Sequence, residues 1–159
     1  VVVHTAEFQK CGLPHVHILL FLYRENKINT PACIDSNVCA EVSNKGEFPN
    51  LHEAVKNFMM HGPCGYVNRR SPCMNNEKCT KFFPKKFVNQ TTIDDDGYVL
   101  CRRQNDGNTI FKNGVPLDNQ FVVLYNPILL LKYQAHLNIE ICNQSTSIKY
   151  LFKYISKDN

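Results

Sequence analysis

A chain of 159 residues with 43% hydrophobic content can bury one substantial core, and nothing in its length asks for two full domains. It has no run of about 18 apolar residues and no charged amino-terminal region leading into a cleavable apolar segment, which argues against membrane spanning and secretion. The net charge of +4 is too small by itself to imply nucleic acid, so a single soluble, intracellular domain spanning residues 1–159 is the expectation.

In chain order, residues 1–9 and 15–23 read as two strands of a hairpin, with KCGLP supplying the Gly and Pro of the turn. Residues 24–50 are polar with scattered Pro and Gly, and read as loop. Over residues 51–61, Leu51, Val55, Phe58 and Met59 fall at helical spacing, and HGPCG then stops the helix. Residues 62–90 lack periodicity. Between residues 91 and 123, DDDG, NDG and KNG separate short alternating stretches, the pattern of a β meander. NPILLLKYQAHL starts with a proline near a first helical turn and reads as helix. LNIEIC alternates like a strand, and STSIKYLFKYISK reads as a closing helix with Ser and Thr capping candidates. The opening on VVVH and the end on YISKDN suggest a piece of a longer polypeptide. No GxxxxGK phosphate loop occurs, so ATP hydrolysis is not encoded.

The cations are unevenly spread. NRRSPC, KCTKFFPKKF, CRRQ and KYLFKYISK hold most of them, and in two of these aromatics interleave with lysines, a pattern suited to phosphate contact with base stacking. Solvated basic surface is the plainer reading of any single one. Of the eight cysteines, Cys11, Cys33, Cys39, Cys101 and Cys142 are scattered, whereas Cys64, Cys73 and Cys79 cluster beside His61. In a reducing compartment such a cluster suggests metal before disulfide.

Residues two apart on a strand share a face, so His15 and His17 project side by side and can chelate a metal. If Gln9 and His15 bracket the turn, Gln9 lies near His15 and Glu7 near His17, and either offers an oxygen ligand; a small change of loop length exchanges them. Such a set suits Mg²⁺ or Mn²⁺ as well as Zn²⁺. Half-buried strand histidines are the alternative. In the closing helix, Ile148, Leu151, Phe152 and Ile155 form the core stripe. At about 100° per residue, Tyr150 and Tyr154 fall off that stripe, about 40° apart. Lysines at 149, 153 and 157 flank them. A phenol attacks poorly unless nearby cations favour the phenolate, which these lysines supply. Rings that only cover a core edge are the alternative.

EFQKCGLPHVHILLFL, HGPCG, PCMNNEKCTKFFPKKF, LYNPILLLKYQAHLNIEIC and IKYLFKYISK occur in this order and together resemble the replication-initiator (HUH endonuclease) domain of Helitron transposases, the Helitron helicase-like amino-terminal region. The resemblance runs over nearly the whole chain. It implies an α+β fold in which helices pack on an antiparallel central sheet of ferredoxin-like or RRM-like ancestry, with a cysteine-containing insertion. It also implies cleavage and rejoining of single-stranded DNA, at transposon ends and target, through a 5′-phosphotyrosine link. His15 and His17 would then hold the divalent cation with Glu7 or Gln9, Tyr150 and Tyr154 would be the nucleophiles, and Lys153 would contact phosphate. A nuclear location and a helicase domain elsewhere in the full-length protein follow from the same likeness. Cys11 stands where the family commonly has arginine, and Asp158 where glycine often follows the last lysine.

His61, Cys64, Cys73 and Cys79 supply the four N/S ligands of a closed tetrahedral zinc site within an insertion over residues 61–90, with His52 a weaker fourth candidate. A metal would replace the missing hydrophobic pattern there, since zinc binding contributes folding free energy directly. The alternative to the nuclease is an inactive, zinc-stabilised module that binds single-stranded DNA.

Overall fold

The computed structural model describes residues 1–8 and 14–141. The stretch read from sequence as a closing helix, with Tyr150, Lys153 and Tyr154, lies outside the described residues, as do Gln9, Cys11 and Cys142.

The hairpin forms as its alternation suggests. β1 (Val2–Phe8) pairs antiparallel with β2 (Pro14–Leu20), in a register that sets Glu7 opposite His15 and Thr5 opposite His17. Gln9 and His15 therefore do not bracket the turn, and of the two candidate oxygen ligands it is Glu7 that stands across from His15. β2 also ends at Leu20 rather than running to residue 23. An apolar strand such as this one suits a core, yet Val16, Ile18 and Leu20 are exposed, at 50%, 60% and 59%. The reason is architectural: among the described residues the hairpin is a two-stranded sheet with no third strand on either edge.

Residues 24–50 hold more structure than a loop. A 3₁₀ turn at Arg24–Asn26 precedes α1 (Pro31–Asn37), whose Thr30 cap accepts a hydrogen bond from the Cys33 N–H and whose proline sits in the first turn, where its missing N–H costs nothing. The expected helix over 51–61 starts earlier, as α2 (Pro49–Ala54), and widens into a π-helical turn at Val55–Met59. Two short ribbons follow in the meander region, β5 (Thr92–Ile93) with β6 (Val99–Leu100) and β7 (Ile110–Lys112) with β8 (Val115–Leu117). A further ribbon, β3 (Met74–Asn75) with β4 (Lys78–Cys79), lies in the cysteine region. α3 (Pro127–Tyr133) is capped by the Asn126 side chain, which accepts from the Leu129 N–H. LNIEIC does not form the expected strand: over its described residues it makes one backbone hydrogen bond, Ile139 N–H to the Leu124 carbonyl at 3.2 Å, and no ladder.

The architecture is therefore mixed α/β, with small antiparallel sheets and few helices. Among the described residues the strands make four separate two-stranded ribbons rather than one central sheet. The core is built from the middle of the chain: Val42, Ala54, Val55, Met59, Met60, Ile110, Leu117, Val122, Tyr125 and Leu130 pack together, drawing on α2, its π turn, the β7–β8 ribbon and α3. No helix among the described residues is long and apolar enough to cross a membrane.

Candidate metal centre

The chain enters the cysteine region straight from the core, with Met60 buried at its mouth. The His61 N–H then donates to the Phe121 carbonyl at 2.8 Å, fixing the imidazole beside the core. Gly62 and Gly65, at φ +93° and +76°, let the backbone fold back on itself around Cys64. A methyl group at position 62 would stand 3.0 Å from the Cys64 amide nitrogen, so a side chain there crowds the turn that aims the thiol. The β3–β4 ribbon then returns the chain through Asn76 and Glu77, both left-handed, and brings Cys79 back beside Cys73. Thr80 locks this return: its N–H and its hydroxyl both donate to the Cys73 carbonyl, at 2.8 and 3.0 Å.

The result is that the ligand atoms of His61, Cys64, Cys73 and Cys79 all lie within 4.8 Å of one another. Within the set, His61 Nε2 lies 3.3 Å from Cys79 Sγ. Bonds of about 2.0–2.3 Å to a tetrahedral zinc place ligand atoms about 3.5–3.8 Å apart, so closing this set on the ion takes shifts of about 1 Å. One imidazole and three sulfurs, two of them on buried cysteines, form a closed donor set of the structural kind. The cluster could thus hold a metal ion such as Zn²⁺.

Electrostatics point the same way. Burial lowers the pKa of His61, and Lys112, Lys85 and Lys81 lower it further, so the imidazole is kept in the neutral form that binds metal. Cys64 is pushed up to about 12, by burial first and then by the adjoining Cys73 and Cys79 sulfurs. Burial also acts to raise Cys79, but hydrogen bonds from the Phe83 and Lys81 backbone and from its neighbouring thiols outweigh it, and its pKa falls. Thiols this close cannot all ionise without a cation between them, and a divalent metal supplies that charge.

Partners that the spacing did not signal complete the surroundings. The Phe83 ring stacks on His61 with centroids 4.1 Å apart and planes 16° from parallel. The Ser71 hydroxyl lies 3.3 Å from Cys73 Sγ. The Lys85 N–H donates to the Gln120 carbonyl at 3.0 Å, while Gln120 Nε2 donates back to the Lys85 carbonyl at 2.7 Å. His52, the weaker fourth candidate, is placed elsewhere, its Nδ1 2.8 Å from the Ser43 carbonyl oxygen.

At the hairpin, His15 and His17 are half-buried on one face, their ring centroids 4.5 Å apart and tilted by 55°. The register puts Glu7, on the neighbouring strand, directly opposite His15. No protein-family model matches the chain, and no curated protein matches it.

Proposed function

We propose that this chain is a metal-dependent single-stranded DNA endonuclease and strand transferase of the HUH type, acting in rolling-circle transposition as its resemblance to Helitron replication initiators implies. The observation that carries the reading is the pair of imidazoles, 4.5 Å apart on one strand face with Glu7 opposite the first of them. Two nitrogen donors and a carboxylate-bearing position across the ladder suit a cation with open positions. Mg²⁺ or Mn²⁺ held there would supply Lewis acidity toward a scissile phosphate. On this reading β1 and β2 belong to the antiparallel sheet of an RRM-like fold, and the protein works in the nucleus beside a helicase domain.

The bond-making falls to the tyrosines. The Tyr150 or Tyr154 phenolate oxygen attacks phosphorus, the P–O3′ bond breaks, and the departing 3′ oxygen takes a proton. A 5′-phosphotyrosine link then conserves the bond for reversal by a 3′-hydroxyl. Lys153 favours the phenolate and contacts phosphate. The test is a denaturation-resistant adduct between the chain and a labelled single-stranded oligonucleotide in Mn²⁺ or Mg²⁺. It is expected to vanish on chelation, in Tyr150→Phe plus Tyr154→Phe, and in His15→Ala plus His17→Ala. An adduct that survives loss of both tyrosine hydroxyls overturns the assignment. A second reading, a zinc-stabilised single-strand-binding module without turnover, draws on the assembled Cys/His cluster, and predicts salt-sensitive binding with no adduct.

A further inference from the structure

Residues 61–90 hold six cations, Arg69, Arg70, Lys78, Lys81, Lys85 and Lys86, against a single carboxylate, Glu77. The segment alone therefore carries +5, and the rest of the chain nets −1. The basic character of this protein is concentrated in the loop that the Cys/His cluster gathers.

Two aromatic rings stand out on that loop. Tyr66 is 94% exposed and Phe82 is 80% exposed. An isolated exposed ring is ordinary, but Phe82 sits at φ +58°, a left-handed conformation that a bulky side chain adopts only at a cost. The backbone is strained there, and the strain presents a phenyl ring to water. Each ring has a cation over it: Arg69 Cζ lies 5.6 Å from the Tyr66 centroid, and Lys85 Nζ lies 5.7 Å from that of Phe82 and 5.0 Å from that of Phe83. Lys85 is pinned by donating to the Lys81 carbonyl at 3.0 Å.

Both rings are tethered to the same cluster. Tyr66 follows Cys64 by two residues and Phe82 follows Cys79 by three. With at most about 3.6 Å of reach per residue, each ring's Cα stays within about 7–11 Å of a cysteine Cα of the cluster. The Phe82 N–H also donates to the Cys79 carbonyl at 2.9 Å, which shortens that tether into a turn.

We infer that the Cys/His-gathered loop is a single-stranded nucleic-acid platform, with bases stacking on Tyr66 and Phe82 and the surrounding arginines and lysines taking the phosphates. Unstacked bases expose π faces that pair with exposed rings regardless of sequence, and cations beside each ring neutralise the adjoining backbone. A duplex hides its base faces and gains only the charge interaction. The inference shares with the proposed function its class of ligand and none of its cleavage chemistry.

The test is fluorescence anisotropy on the full zinc-loaded chain, made in the Tyr150→Phe, Tyr154→Phe background so that no covalent adduct forms. The probes are oligo(dT) and oligo(rU) of about 15 nucleotides, within the footprint of such modules, and a duplex of equal length. Tyr66→Leu and Phe82→Leu, which keep apolar bulk but remove the π face, are each expected to weaken single-strand binding by about 5- to 150-fold. Phe82→Tyr is expected to bind as the parent does. Lys81→Gln is expected to reduce the slope of log affinity against log salt by about 0.7, the value for one phosphate contact on a single strand. Weaker binding of both single strands by the leucine variants supports a platform shared by DNA and RNA; an effect on one alone assigns it to that polymer. Binding unchanged in both leucine variants, a duplex bound as tightly as the single strands, or no binding by the zinc-loaded chain overturns the inference. Failure of cleavage in the adduct assay leaves it standing.

Discussion

Arg103 is 6% exposed, and its Nη1 donates to the carbonyls of Ala40 and Val122, at 3.1 and 2.9 Å, and to that of Asn119. A guanidinium can replace a carboxylate partner with converging carbonyls because each is a dipole aimed at the charge. Asn119 is fully buried beside it, accepting from the Val42 N–H at 2.7 Å and donating to the Gln104 carbonyl at 2.8 Å. Together they bind the chain near residue 40 to the segments near 103 and 120. Arg103→Met removes the donor and leaves three carbonyls without it, and Asn119→Ala leaves one N–H and one carbonyl. Each is expected to cost about 2–4 kcal/mol, read as a lowered urea midpoint at constant m-value. Neither role was legible in the sequence, since an arginine satisfied by main-chain carbonyls has no partner residue to announce it. The cysteines and His61 were legible, because ligand chemistry restricts residue type as well as position.

Cys101 makes a pH prediction at the same scale. Burial raises its thiol from 9.0 to about 11, with Asp35 adding to the effect. A raised folded pKa means that the unfolded chain loses this proton first, so the stabilisation is fully present below 9.0 and is lost as pH rises toward about 11. Burial raises Cys39 and Tyr125 as well, which adds to alkaline lability. Melting temperature is expected to fall over this window, and the fall to be shallower in Cys101→Ser. An equal slope in the variant would assign the lability to other groups.

At the scale of elements, the β3–β4 turn shows local chemistry overridden by its surroundings. Asn76 and Glu77 take φ +46° and +62°, the paired left-handed geometry of a two-residue hairpin turn. Asn tolerates it, whereas Glu has no such preference. Its ion pair with Arg69 is long, at 3.8 Å, and exposed, so it contributes little. Glu77→Gly is therefore expected to stabilise the loop by about 0.5–1 kcal/mol and to tighten zinc binding in a competition titration with a chromogenic chelator. Weaker zinc binding would mean that the glutamate has a role beyond the turn. The KNG turn was legible for the converse reason: Asn113 and Gly114, at φ +53° and +77°, are the residues such a turn prefers. α1 escaped notice although Thr30-Pro31 is a good start signal, because it buries only Ile34 and leaves no apolar stripe to read. LNIEIC misled in the opposite direction, since alternation selects a strand only where a neighbouring strand offers a ladder. The β2 run likewise looks core-bound in sequence, but among the described residues its two-stranded sheet has no second layer to cover Val16, Ile18 and Leu20.

For the whole molecule, a metal in the Cys/His cluster would act on the loop rather than on the core. Most of the core cluster comes from residues 42–60 and 110–130, so its apolar burial does not depend on the cysteine loop. The loop is nevertheless tied at both ends to one place, with His61 bonded to Phe121 and Lys85 bonded both ways to Gln120. Between these anchors it carries one short ribbon, exposed cations and little apolar burial beyond Pro63, Cys64 and Cys79. A zinc ion in the cluster, at about 10–16 kcal/mol for small structural sites, would then be the main term holding the middle of the loop. Removing it is expected to open residues 62–84 locally while the core persists. With zinc, trypsin should leave Arg69, Arg70, Lys78 and Lys81 largely intact. A zinc chelator, or Cys73→Ser in the presence of zinc, should expose those bonds while the near-ultraviolet tyrosine signal, to which the buried Tyr125 contributes, is retained. Cleavage unchanged by chelation would mean that the cluster holds no ion. Loss of the tyrosine signal along with loop cleavage would mean that loop and core unfold as one unit, with zinc as their common fastening.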